Sequence, residues 1–284
     1  YQHKNFFKGA ESFDFSIRGA QEAQGNIVED PDQQNNIQLF NTLEYGFQSK
    51  IGFPHFLFPF VGTSFSRKYN PSSNLSLAYN YQQRPDYTRT IINTTFGYVW
   101  SSPGNLMMKH YLNPLGLNLV NVPQKSAGFL ESITNPYILN SYQDQLILSA
   151  GYSMVYDNKE KKQLRNHIFL RTNLESSGNV LNAFSNLIDA GKSEDYYEVY
   201  DIRYAQYVKT DVDFRYYHKV DNQNKLVYRF FAGIVYPYGN SGNSTPFIKK
   251  YYSGGANSLR AWPVRGVGPG TYSGESTGIN NQLG

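Results

Sequence analysis

Arg260 lies in YYSGGANSLRAWPVRGVGPG, residues 251–270, between Leu259 and the pair Ala261-Trp262. A guanidinium presents its N–H donors as a planar fork that matches a carboxylate, so the chemistry open to it is directional binding. Gly254 and Gly255 ahead of it would permit a tight chain return. On residue types alone, the plain reading is a solvated loop charge beside a surface aromatic, Trp262. No bond-breaking set accompanies it. The histidines, His3, His55, His110, His167 and His218, are dispersed without the spacing of metal ligands and read as strand or turn residues. No G-x-S-x-G nucleophile elbow occurs. Gly266, Gly268 and Gly270 lack the preceding buried strand and following helix that would make a phosphate loop. With Cys 0, disulfides and thiolate metal sites are excluded. No catalytic residue, metal or cofactor is expected.

The elements that must position this segment alternate with period two. At 12–19, Phe13, Phe15 and Ile17 share one face while Ser12, Asp14, Ser16 and Arg18 share the other. The same pattern predicts strands over 39–51, 74–83, 88–100, about 105–121 (less regular), 145–156, 166–175, 199–218 and 226–238. In 199–218, Val208, Val212, Phe214 and Tyr216 alternate with Lys209, Asp211, Asp213 and Arg215. Charges of both signs on one face read as a polar lumen. Amphipathic spacing of Val180, Leu181, Phe184, Leu187 and Ile188 predicts a helix at about 178–190 with Gly191 as a cap, and 129–139 is a second candidate helix. Tyr98 and Trp100 read as membrane-interface anchors.

Composition decides between a soluble and a membrane reading. Only 40% of the 284 residues are hydrophobic and mean hydropathy is -0.54, which suits a soluble protein. It equally suits a membrane β-barrel, whose strands alternate lipid-facing and lumen-facing residues. An aromatic share of 16%, with Tyr 25 and Phe 19, favours the barrel, which concentrates rings in girdles. Strands of about 10 residues or longer exceed the roughly 5–6 usual in soluble sheets. No run reaches the roughly 20 apolar residues of a spanning helix. The net charge of +4 is spread out, without the stripe that nucleic acid would need. Nine strands in lipid would leave an open edge, so either the barrel holds more strands than this chain or it is not a membrane barrel. Missing signal residues at the start and a polar end at Gly284 are expected to reflect processing or truncation.

Residues Tyr252, Gly254, Gly255, Ser258, Leu259, Arg260, Ala261 and Trp262, with Gly268-Pro269, resemble the sixth extracellular loop of the BamA/TamA-type outer-membrane assembly superfamily (the bacterial surface antigen barrel), which includes the two-partner secretion transporters. The turn Asn5-Phe6-Phe7-Lys8-Gly9-Ala10-Glu11 resembles that family's first periplasmic turn. Ala261 and Trp262 depart from its usual glycine and Phe/Tyr and look most like the TamA-like branch of Bacteroidetes. The resemblance implies a sixteen-stranded antiparallel transmembrane β-barrel. This chain would supply part of it, from the end of the second strand through the eleventh. Residues 239–284 would then be a loop inserted in the lumen, with Arg260 as a latch against acidic and aromatic residues of the inner wall.

The function implied is non-enzymatic assembly or translocation of outer-membrane and exported proteins, by opening of a seam between first and last strands and β-augmentation of clients. Implied partners are outer-membrane lipids, unfolded client proteins and accessory assembly proteins. The alternatives are a passive porin, on the strength of the charged lumen face, and the barrel anchor of a secreted enzyme, as in relatives that carry an upstream lipase domain.

Overall fold

The computed structural model describes residues 1–22, 41–57, 69–85, 87–103, 105–125, 142–159, 166–187, 196–200, 202–242, 245–256 and 258–262. The predicted helix at 129–139 lies outside them. Ten strands form one antiparallel sheet: β1 (Gln2–Lys4), β2 (Ser12–Glu22), β3 (Thr42–Phe53), β4 (Ser72–Gln83), β5 (Tyr87–Ser102), β6 (Asn105–Lys125), β7 (Gln145–Asp157), β8 (His167–Ser177), β11 (Tyr207–Lys219) and β12 (Lys225–Pro237). Each pairs with its neighbour in that order. A helix, α1 (Asn179–Leu187), and a two-stranded hairpin, β9 (Glu198–Val199) with β10 (Ile202–Arg203), fill the connection from β8 to β11.

Alternation placed eight of the strands closely and two features differ. The short β1 carries too few residues to show a period. The strand expected over 199–218 divides, because Tyr200 turns the chain at φ 54° and the regular ladder starts only at Tyr207. The irregularity of β6 has a cause in Pro114, which donates no N–H to a ladder. Its pairing shifts there against both neighbours, between Phe96 and Tyr98 on β5 and between Asn113 and Gly116 toward β7.

The register sorts side chains onto two faces. Ile17, Phe47 and Tyr79 fall in one row, as do Phe214 and Phe230. Ile17 is 74% exposed, Phe230 62% and Ile234 61%. A continuous apolar face of that size needs lipid against it. The opposite face is laced with polar contacts: Asn80 donates to Glu44 at 3.0 Å, Arg89 to Gln82 at 2.6 Å and Asn173 to Asp211 at 2.5 Å. That face is the lumen.

Antiparallel order puts the β2–β3, β6–β7 and β8–β11 connections at one end of the sheet, with the segment after β12 beside them. The other end carries the β1–β2 and β11–β12 turns. Glu11 closes the first, accepting from Gly9 N at 2.8 Å and Phe7 N at 3.2 Å. Asp221 closes the β11–β12 turn, accepting from Gln223 N at 2.7 Å and Asn224 N at 2.6 Å.

Candidate functional site

The site is the lumen wall of β8, β11 and β12 together with the chain that leaves β12. Three successive rungs of that wall carry the chemistry. Glu175 lies opposite Lys209, Asn173 opposite Asp211 opposite Gly233, and Arg171 opposite Asp213 opposite Phe231.

The exit from β12 is held by Asn240. Its side chain accepts from Tyr197 N at 2.6 Å and donates to the Tyr197 and Tyr204 carbonyls, each at 2.9 Å. Arg203 Nε donates to the Asn240 carbonyl at 2.7 Å, and Gln206 Oε1 accepts the Asn240 N–H at 2.9 Å. A buried amide with every polar atom engaged is a rigid joint. Gly239 and Gly242, at φ 53° and 56°, turn the chain around it.

Beyond the joint the chain returns along the wall. Lys249 Nζ meets Glu175 Oε1 at 2.6 Å, and the same carboxylate oxygen accepts from the buried Tyr207 hydroxyl at 2.6 Å. Lys209 Nζ donates to the Lys249 carbonyl at 2.9 Å. Two residues on, Tyr251 donates its hydroxyl to Asp211 Oδ2 at 2.8 Å and sets its ring edge-on to Phe231, centroids 5.6 Å apart. Lys209 Nζ sits 4.2 Å from the centre of that ring. Burial, reinforced by the accepting Asp211 carboxylate, pushes the Tyr251 hydroxyl well above its ordinary pKa. Gly233 makes room for it: a β-carbon there would come within 2.6 Å of the Tyr251 ring.

The motif residues follow. Gly254 and Gly255 have φ of 95° and 88°, where any side chain would be strained. Gly255 N donates to the Trp262 carbonyl at 2.9 Å, Ser258 N to the Gly255 carbonyl at 3.0 Å and Trp262 N to Leu259 at 3.1 Å, closing a compact loop. Leu259, Arg260, Ala261, Trp262 and Tyr252 are exposed. Arg260 Nε donates to the Ala256 carbonyl at 3.2 Å, and among the described residues Arg260 makes no ion pair. Gly268 and Pro269 lie outside the described residues. Among the described residues, Lys249 and Tyr251, ahead of the motif, join loop to wall.

One rung deeper, Asp213 is fully buried. Arg215 reaches it at 3.0 and 2.7 Å and Arg229 at 3.2 and 2.9 Å, each through Nε and Nη2. These are fork-on-carboxylate pairs, the strongest kind of side-chain hydrogen bond. Sequence reasoning placed Lys209, Asp211, Asp213 and Arg215 on the lumen face but missed Lys249, Glu175 and Gly233 as partners. The available signal was the i, i+2 spacing of Lys249 and Tyr251 in the segment that follows the last strand.

The histidines sit in aromatic surroundings. His167 stacks on Tyr217 at 4.0 Å, and His110 stacks on Trp100 while its ring nitrogens engage Ser102 and Tyr152. Among the described residues no group of His, Asp and Glu is arranged to hold a metal ion.

An antiparallel sheet with a lipid-facing side, a charged lumen side and a loop anchored on the inner wall defines an outer-membrane-type β-barrel protein. The model of the Omp85 superfamily domain matches residues 1–282. The chain belongs to that superfamily, whose members are outer-membrane proteins of protein insertion and translocation, generally without catalytic activity. No curated protein matches it.

Proposed function

We propose that this chain belongs to an assembly or translocation factor of the TamA-like Bacteroidetes branch. It helps client barrels or exported proteins into or across the outer membrane and has no catalytic activity of its own. Opening of a barrel seam admits the client strand, and the loop after β12 holds the lumen in a defined state meanwhile. Its partners are membrane lipids, unfolded clients and accessory assembly proteins. The observation that carries this reading is the wall-anchored segment from Lys249 to Tyr251 leading into the Gly254-Gly255 and Leu259-Arg260 motif. Within the loop, Arg260 acts as a latch against acidic and aromatic residues of the inner wall.

The test is depletion of the protein with quantitation of other outer-membrane barrels, rescued by wild type or by Arg260→Ala. A fall in client barrels that only wild type restores supports both assembly and the latch. Rescue by both proteins removes the latch role. The mixed-charge lumen face favours a second reading, a passive channel. Steady client levels with altered solute uptake would establish it instead.

A further inference from the structure

The carboxylate of Asp213 serves more cations than it can bind. Arg215 and Arg229 together give it four N–H bonds, which fill the roughly four lone-pair directions a carboxylate offers. Arg171, directly across from Asp213 on β8, comes only to 3.9 Å of Oδ2, and its buried Nε has no hydrogen-bond partner. Side-chain exposure of 41% leaves the rest of its fork open to the lumen. The other acids nearby are engaged. Asp211 holds Asn173 and Tyr251, and Glu175 holds Lys249 and Tyr207.

Arg171 opens onto a cavity of about 750 Å³ between the wall and the returning loop. Arg229, Lys209 and Lys250 also line it, with Phe231 and Tyr252, and among the described residues no aspartate or glutamate does. A site with excess cations, an unsatisfied guanidinium and low-dielectric walls attracts anions. Its size falls within the roughly 300–1,000 Å³ of sites that enclose an organic ligand. That is far more than one phosphate needs, and the aromatic faces suit the apolar parts of a chain.

We propose that this cavity is a docking site for an acidic polypeptide segment whose glutamate or aspartate carboxylate pairs with Arg171. The proposal rests on the reading that polypeptides engage this lumen, and it adds what they are recognised by. Arg171 supplies the fork, Arg229 and Lys250 supply field, and Phe231 and Tyr252 supply contact area.

Binding to the full-length protein in detergent tests it, using a fluorescent peptide that carries three glutamates, its glutamine twin, free glutarate and inorganic phosphate. The glutamate peptide is expected to bind at least about tenfold more tightly than the glutamine peptide, with affinity falling as salt rises. Arg171→Gln removes that preference, and Arg171→Lys, which keeps the charge but not the fork, retains part of it. Heat-modifiable gel mobility checks that both variants are folded. Equal binding of the two peptides overturns the proposal. So does an unchanged preference in Arg171→Gln, or saturation by phosphate or glutarate with no peptide bound. Failure of the assembly reading shows elsewhere, as unchanged client barrels on depletion, and leaves this binding result standing.

Discussion

Tyr251 and Gly233 fit as ring and gap: the tyrosine lies where a side chain on β12 would otherwise stand, close enough that a β-carbon would fall 2.6 Å from its ring. A glycine in a strand interior costs β-propensity and marks the close approach of another group. Here that group is the loop. Gly233→Ala is expected to expel the Tyr251 ring while leaving the ladder intact, since Gly233 faces the lumen opposite Asp211. Proteolysis or cysteine labelling at 247–252 measures it. Accessibility at wild-type level would mean that the ring is not held there.

Lys249 and Glu175 form a half-buried pair, with side-chain exposures of 22% and 24%. Single substitutions Lys249→Ala and Glu175→Gln, with the double, should yield a coupling of about 1 kcal/mol in urea unfolding. Additive effects would reduce the pair to proximity.

Asp213→Asn leaves three guanidiniums around a neutral amide. Loss of one partner from a buried ionic cluster costs on the order of 3–5 kcal/mol. The midpoint of the heat-modifiable mobility shift should fall accordingly. Replacing Arg171 should cost much less, since it donates no hydrogen bond to Asp213.

The turn between β1 and β2 should be acid-sensitive. Hydrogen bonds from backbone N–H groups, the largest from its own residue and others from Gly9 and Phe7, outweigh desolvation and hold the Glu11 carboxyl below its ordinary pKa. A depressed folded pKa contributes order above the usual carboxylate range and loses it as pH falls through the folded value. The protection of the Phe7 and Gly9 amides, exchange measured against the intrinsic rate at the same pH, should therefore fall on acidification in the wild type. In Glu11→Gln it should be low already at neutral pH. An acid-independent wild type would remove Glu11 from the turn's support.

The barrel wall was legible because period two survives in the long strands other than β6, where the pairing shifts at Pro114. Asp213 on the lumen face of β11 follows from its position between Val212 and Phe214. The helix near 178–190 was legible as well, and it ends at Leu187 in the described residues. On its apolar face Val180 and Phe184 stand exposed. Tyr200 could not be foreseen as a break, because a positive φ at tyrosine is set by the hairpin around it. The partners of Lys249 and Tyr251 were hidden for another reason. They lie 74 and 40 residues away in sequence, and pairing over such distances is fixed by sheet register.

Lys249 and Tyr251 meet the wall, and Tyr251 also lines the cavity beside Ile248, Lys250 and Tyr252. Tether and lumen lining are thus interleaved over five residues, with Tyr251 common to both. Exchanging Ile248 retunes what the interior presents while the Lys249 and Tyr251 contacts stay. A pull on Ile248, Lys250 or Tyr252 by a bound chain is delivered one residue away, to the Lys249 and Tyr251 fastenings.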